Sequence, residues 1–369
     1  MRRLNGNILT PQGWVYGSIG FGERITDITG DMLAAESDSG DLILPGFVDL
    51  HIHGGGGMDI MQGGNAGEVV SLMHASHGTT SFLATTMTAP TEDIAKALKD
   101  LHCIYPKRVA NGARMLGVHL EGPYINSGKL GAQPNYARSG VMAEVNAYHE
   151  IIPIRLVTVA PELVGHQQLI EQLVRQGIKV QLGHTLGSYE DGVDAMQHGA
   201  TSFTHLFNAM TGLHHREPGM VGAALAHAEF SEIIPDLLHV HPGAIRTALR
   251  CIPHLYCVTD STAAAGMPDG NYQLGRHTVT KCLGGVRLPD GTLAGSTLTM
   301  DQALRNLVSL GLTVADASNR LSANPMRYLG VTDRGTLAKE NWADIVVLNR
   351  QLQLKAVFVE GEAIDLADA

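Results

Sequence analysis

Positive charge is scarce in this chain. Its 369 residues include 26 Lys or Arg against 36 Asp or Glu, a formal charge of −10. That balance leaves no general basic face for a phosphate backbone and excludes nucleic acid as the expected partner. No apolar run approaches the ~18 residues of a membrane span. Arg2 and Arg3 are not followed by the apolar stretch of a secretory signal. A cytoplasmic protein with no membrane partner is therefore expected. Cysteine is sparse, and Cys103, Cys251, Cys257 and Cys282 form no CxxC pair; unpaired core thiols in a reducing compartment account for them. A GxGxxG turn is absent too, which removes the usual signature of a dinucleotide-binding sheet. Histidine, by contrast, is abundant at 18 residues.

Short apolar runs recur at Phe47–Leu50, Ser81–Thr85, Met115–Leu120, Ile154–Val159, Lys179–Leu182, Ser202–Thr204, Leu237–Leu238 and Leu255–Thr259. Several are separated by segments of helical period. Thr91–His102 places Ile94, Leu98 and Leu101 on one face, with Thr91 positioned to cap after Pro90. Gln167–Gln176 carries Leu169, Ile170, Leu173 and Val174, with Gly177 where a C-terminal glycine belongs. Alternation of this kind predicts an α/β fold of parallel βαβ units, and eight of them in about 250 residues predict a (β/α)8 TIM-like barrel. A doubly wound open sheet is the rival. The two ends of the chain differ: Trp14–Ser18, Arg24–Ile28, Asp344–Leu348 and Lys355–Val359 are strand-like with no helix between them, so both termini are expected to form a small β domain. Residues 266–295, with turns at Pro268–Gly270 and Pro289–Gly291, read as a hairpin-rich insertion over the active-site end of the barrel.

The ends of the expected strands carry the chemistry. His184 and His205 lie 21 positions apart with one helix-like stretch, Ser188–Gln197, between them. A right-handed crossover sets both at one edge of neighbouring strands, ~5 Å apart, where they can share a Zn²⁺ at ~2.0–2.1 Å. Either alone would read as a satisfied core histidine; the matched pair favours ligands. Glu121 is the natural third ligand, the alternative being a salt bridge or a cap for a helix after Pro123. His51 and His53 share one face of a strand, as a chelating pair does. Asp260 ends the eighth run, which neighbours the first in a closed barrel. It suits a second metal site with His51 and His53 or a general base for an activated water, against the alternative of an N-cap. Arg216, beside His214 and His215, suits bidentate recognition of a phosphate, or is a solvated loop charge. His239 offers a further donor, and Asn208 and Ala209 an amide and a backbone N–H.

Taken together, Leu44–Gly54 (LPGFVDLHIHG), His119–Pro123, Leu182–Thr185, Thr204–Met210, Gly212–Gly219 (GLHHREPG), Val258–Asp260 and Gly291–Ser296 resemble the amidohydrolase superfamily, and within it the N-acetylglucosamine-6-phosphate deacetylases. The resemblance spans nearly the whole chain, including Asn324-Pro325 and Ala343–Val346. It implies a catalytic barrel over residues 46–334 and a small β-sandwich from residues 1–45 plus 335–369. It implies a primary divalent metal on Glu121, His184 and His205, and Asp260 as acid–base. Substrate contacts are implied for Asn208, Ala209, Arg216, His239, Leu293, Ala294 and Gly295. A homodimer is implied as well, with Arg216 reaching the phosphate in the neighbouring subunit's site. Some members lack the HxH pair, whereas His51 and His53 give this chain the look of the binuclear kind. Many members have a histidine where this chain has Gln133, which can donate a hydrogen bond but cannot carry a proton. A second metal at His51, His53 and Asp260 is expected to supply the electrophilic assistance that Gln133 cannot. Ile154–Glu162 holds no lysine, which argues against relatives that use a carbamylated lysine.

The expected reaction is hydrolysis of the acetamide of N-acetylglucosamine 6-phosphate, with one or two divalent metals per subunit: Zn²⁺ first, with Fe²⁺, Mn²⁺ and Co²⁺ also accepted by such ligands. Asp260 takes the proton of the attacking water and returns it to the amine, and Gln133 or His119 assists the metal in holding the oxyanion. The galactosamine epimer is the nearest alternative, then another amidohydrolase such as a cyclic-amide hydrolase or nucleobase deaminase, then a non-catalytic sugar-phosphate sensor.

Overall fold

A computed structural model describes residues 1–366. Eight parallel strands alternate with helices: β1 (Phe47–Ile52), β2 (Thr79–Thr86), β3 (Arg114–Glu121), β4 (Ile154–Val159), β5 (Lys179–Leu182), β6 (Ser202–Phe203), β7 (Phe230–Ile233) and β8 (His254–Cys257). The first six pair in chain order as one curled sheet, and β7 and β8 form a parallel pair. At the β6 edge the Leu206 amide donates to the Glu232 carbonyl at 2.9 Å. Beyond β8, the Asp260 amide donates to the His51 carbonyl at 2.9 Å and the His53 amide to the Ser261 carbonyl at 2.9 Å. β1 and β2 are buried along their whole length, as expected of strands covered by helices on one face and by side chains on the other. Each fully buried Leu, Ile or Phe contributes ~1.5–3 kcal/mol.

The seventh strand is not the expected Leu237–Leu238 but Phe230–Ile233. Its apolar run is interrupted by Ser231 and Glu232, which find interior partners: Ser231 Oγ donates to the Phe203 carbonyl at 3.1 Å, and Glu232 reaches His51. Leu238 is exposed, and the Asp236 carboxylate accepts from the amides of Leu238 and His239, making a turn. Thr91 starts its helix without capping it, since its hydroxyl donates to Glu144 at 2.6 Å. The cysteines are unpaired, but only Cys257 is buried; the other three are exposed, two of them at the ends of surface helices.

Both termini enter one seven-stranded sheet, ordered 362–363, 354–359, 345–348, 42–45, 2–10, 13–21, 25–33. The expected sandwich takes the form of this continuous sheet, with its own apolar cluster around Ile8, Ile19, Phe21, Ile43 and Ile345. The insertion is a three-stranded antiparallel sheet (270–274, 277–282, 285–287). Its strands are joined by turns at Gly275 and Leu283-Gly284. Of the two Pro-Asp-Gly segments, Pro289–Gly291 makes the expected hairpin turn, closed by the Gly291 amide on the Leu288 carbonyl at 2.9 Å, whereas Pro268–Gly270 leads directly into the first of these strands. No helix among the described residues is long and apolar enough to cross a membrane.

An ion-pair network ties the terminal sheet to β3. Arg114 donates through Nε and Nη2 to the two Glu360 oxygens at 2.7 Å each, and Arg334 bridges Glu360 and Asp344. Partial burial pushes the Glu360 carboxyl up, but these guanidinium contacts outweigh it and hold it down at about 2. A depressed carboxylate stabilises the fold above its ordinary pKa, and that contribution disappears as pH falls toward about 2. Glu360→Gln is therefore expected to lower Tm at pH 7 and to flatten the acid limb between pH ~4.5 and ~2. Thermal melts of both proteins across that range check this; equal Tm at pH 7 would count against the clamp.

Candidate active site

Six side chains converge at the C-terminal edge of the parallel strands. Glu121 is the last residue of β3, His51 lies near the end of β1 with His53 one residue past it, and His184, His205 and Asp260 follow β5, β6 and β8 by two or three residues. His184, His205 and Asp260 hold positive φ, at 49°, 29° and 49°. Left-handed backbone at non-glycine residues costs roughly 1–3 kcal/mol and persists only where surroundings enforce it. Here they do: the His205 amide donates to Glu232 Oε1 at 2.9 Å, and the Asp260 amide to the His51 carbonyl of β1.

Two groups of three result, Glu121–His184–His205 and His51–His53–Asp260, each with ligand atoms within 4.8 Å of one another. Nε2 of His184 and of His205 lie 3.1 Å apart, each about 3 Å from Glu121 Oε1 (3.0 and 3.1 Å). Nε2 of His51 and of His53 also lie 3.1 Å apart. Glu121 Oε2 is 3.0 Å from His53 Nε2, and Asp260 Oδ1 is 3.4 Å from both imidazoles of the second group. Two nitrogens on one tetrahedral ion at ~2.0–2.1 Å stand ~3.3 Å apart, so the spacing fits shared cations. The far side of the rings agrees: Nδ1 of His51 donates to Glu232 at 2.7 Å and Nδ1 of His184 to the Lys129 carbonyl at 2.9 Å, turning each Nε2 lone pair inward. Burial opposes charge on Glu121, but the imidazoles of His51, His184 and His205 packed against it hold its carboxyl well below the usual range.

A cavity of about 390 Å³ opens above these groups. It brings together His53, Glu121, Gln133, His184, His205, Asn208, Ala209, His239, Asp260, Leu293 and Gly295. His51 lies behind it, fully buried. Ala294 is fully buried too, its amide spent on the Val286 carbonyl. Arg216 is not in this cavity but in a separate cleft of about 440 Å³ with His214 and Glu217. His119 cannot hold an oxyanion here: it is fully buried and its Nε2 bonds Thr158 Oγ1 at 2.8 Å. Gln133 spends one N–H of its Nε2 on Glu121 Oε2 at 2.6 Å, and its Oε1 accepts from the Thr88 amide at 2.7 Å, which fixes the side chain at the cavity wall.

Two supporting carboxylates escape a reading of the sequence. Asp49 accepts from the Thr259 hydroxyl and from the amides of His51 and Thr259, clamping β1 to the segment after β8, and burial pushes it up to about 7. Glu232 backs His51. The available signal is a charged residue inside a strand-like run, Asp49 in Phe47–Ile52 and Glu232 in Phe230–Ile233.

The profile of the amidohydrolase family matches residues 42–364. The chain belongs to the amidohydrolase family. Within the family it is 40% identical over 334 residues to the N-acetylgalactosamine-6-phosphate deacetylase of Escherichia coli O157:H7, covering 87% of each chain. It is 35% identical over 331 residues to the N-acetylglucosamine-6-phosphate deacetylase of Lysinibacillus sphaericus, covering 88% of this chain and 85% of the other. The crystal structure of the N-acetylglucosamine-6-phosphate deacetylase from Thermotoga maritima superposes with a TM-score of 0.91 at 31% identity, over 99% of this chain and 100% of that one. The family is typically metal-dependent, and the two ligand groups are where this member can hold metal.

Removing ligands one group at a time should separate the two sites. His51→Ala/His53→Ala is expected to bind one divalent ion per chain fewer than the unaltered protein, by elemental analysis after dialysis, while keeping the Glu121–His184–His205 ion. Equal metal content in the two proteins would contradict the assignment of the second group.

Proposed function

We propose that this chain hydrolyses the acetamide of N-acetyl-D-glucosamine 6-phosphate to D-glucosamine 6-phosphate and acetate. The observation that carries the reading is the pair of ligand groups at the floor of one cavity, joined by Glu121, with Asp260 of the second group lining that cavity. The hydrogen bonds from Leu206 to Glu232 and from Asp260 to His51, which bridge the β6–β7 and β8–β1 gaps, support a closed (β/α)8 barrel over residues 46–334, with residues 1–45 and 335–366 as the small β domain; the expected extension to 369 lies outside the described residues. Unpaired thiols are consistent with a cytoplasmic setting.

A divalent cation in these groups, with Zn²⁺ first, would supply Lewis-acid polarisation of a carbonyl and lower the pKa of a water. Asp260 lines the cavity and takes the proton of the attacking water. As the C–N bond breaks, the same carboxyl returns that proton to the amine, leaving acetate and the amino sugar. Gln133 fixes Glu121 by its amide, so electrophilic help at the carbonyl falls to the ligand groups. His239 is the cation suited to the phosphate: burial disfavours its charge, but the Asp236 carboxylate at 2.7 Å from Nδ1 holds its pKa above the usual value. Asn208, Ala209 and Leu293–Gly295 would orient the sugar. Arg216, outside this cavity, contributes to the phosphate site only from a neighbouring subunit, which makes a homodimer part of the proposal. The galactosamine epimer is the second reading, favoured by the 40% identity to an N-acetylgalactosamine-6-phosphate deacetylase.

Acetate release from the two 6-phosphorylated epimers and from unphosphorylated N-acetylglucosamine tests the proposal. Turnover is expected to need the phosphate, and the epimer ratio names the sugar; no turnover on any of them by metal-loaded enzyme would overturn it. Asp260→Asn is expected to lower kcat by ~10²–10⁴. Arg216→Ala should raise KM for the phosphorylated sugar with little change in kcat, and equal KM for the two proteins would remove Arg216 from the phosphate site.

A further inference from the structure

Glu232 is a buried carboxylate that the proposed chemistry does not use. It sits in β7, fully buried, with no Lys or Arg among its hydrogen-bond partners in the described residues. A buried anion without a basic side chain is costly unless something else answers its charge. Its contacts point toward both ligand groups. Oε1 accepts from Nδ1 of His51 at 2.7 Å and from the backbone amide of His205 at 2.9 Å. One oxygen thus touches one member of each set, and His205 is a residue whose φ of 29° needs an external hold.

The carboxylate is itself held firmly from below. Oε2 accepts from Gln181 Nε2 at 3.1 Å. Gln181 Nε2 also lies within hydrogen-bond distance of Ser202 Oγ and the Tyr256 hydroxyl, and its Oε1 accepts from Thr204 Oγ1. This polar layer is drawn from β5, β6 and β8 and is buried throughout. A side chain anchored in that way has a single position from which to orient the groups above it.

We propose that Glu232 is a positioning residue for both candidate metal sites. Through its Oε1 atom it selects the His51 tautomer whose Nε2 lone pair faces His53, and it holds the strained backbone that presents the His205 ring to Glu121. The imidazole carries the electrostatic influence of the carboxylate toward the ion bound on its other nitrogen, which is the arrangement by which outer carboxylates raise ligand basicity. This inference rests on reading the two groups as metal ligands.

The test is a titration of the full-length protein with Co²⁺, followed by metal affinity and by the visible absorption of the bound ion, for the unaltered protein, Glu232→Leu and Glu232→Gln. Glu232→Leu is expected to weaken binding at both sites by about 10- to 100-fold and to alter the absorption bands, because both sets lose an orienting contact. Glu232→Gln keeps an oxygen that can accept from both N–H groups and should recover most of the affinity, remaining about three- to tenfold weak with shifted bands. Should Glu232→Leu fail to fold, the Gln variant decides: affinity and bands equal to the unaltered protein overturn the proposal, and the stated shift supports it. If Glu232→Leu folds and binds like the unaltered protein, the proposal is equally overturned. Failure of the unaltered protein itself to bind Co²⁺ would instead bring down the ligand reading, and this inference with it.

Discussion

A carboxylate taken out of water must be met by hydrogen-bond donors or by positive charge, and Glu121 meets four imidazoles and an amide. Its Oε1 lies 3.0 and 3.1 Å from Nε2 of His184 and His205, and its Oε2 lies 3.0 and 3.4 Å from Nε2 of His53 and His51. Gln133 completes the second oxygen. This one side chain makes two ligand groups into a single centre. Three of those rings and Asp260 belong to loops after different strands, so the centre also reports that the strands themselves are correctly in register. A slip of one residue in any of them would turn the chemistry toward the outer helices.

The rest of the architecture serves that convergence. Parallel strands deliver their C-terminal ends to one edge, and short turns after β5, β6 and β8 bend through left-handed backbone at His184, His205 and Asp260. Local strain there is offset by tertiary hydrogen bonds rather than by local sequence, among them the amide of His205 on Glu232 and that of Asp260 on β1. The aliphatic interior supplies rigidity beneath, and Arg114, Arg334 and Glu360 fix the terminal sheet against β3. Catalysis by prepositioned groups requires such fixity, since hydrolysis gains little from ligands that must first be assembled.

Much of this is legible in the sequence because strand ends are marked by residue type. Histidines and carboxylates that terminate apolar runs at Leu120-Glu121, Gly183-His184, Thr204-His205 and Thr259-Asp260 have little reason to be there except chemistry. The seventh strand escapes because the signal is apolar periodicity, and Ser231 and Glu232 break it while pairing with groups far away in the chain. Leu237-Leu238 imitates it because two adjacent leucines are hydrophobic whether or not a turn exposes one of them. His119 misleads for a related reason: alternation says which residues share a face, but not that one face of this strand turns into a sealed polar layer with Thr158. Arg216 lines a cleft separate from the cavity, so its proposed role at the phosphate is a statement about two chains.

Whether Glu121 joins two metal sites can be seen by anomalous diffraction from crystals of the metal-loaded protein, recorded on either side of the metal absorption edge. A strong peak is expected where Glu121 Oε1 and the Nε2 atoms of His184 and His205 enclose it. A second is expected among His51, His53 and Asp260, with Glu121 between the two. Absence of a peak at the Glu121–His184–His205 group, in protein shown to contain the metal, would contradict the assignment of that group as the primary site.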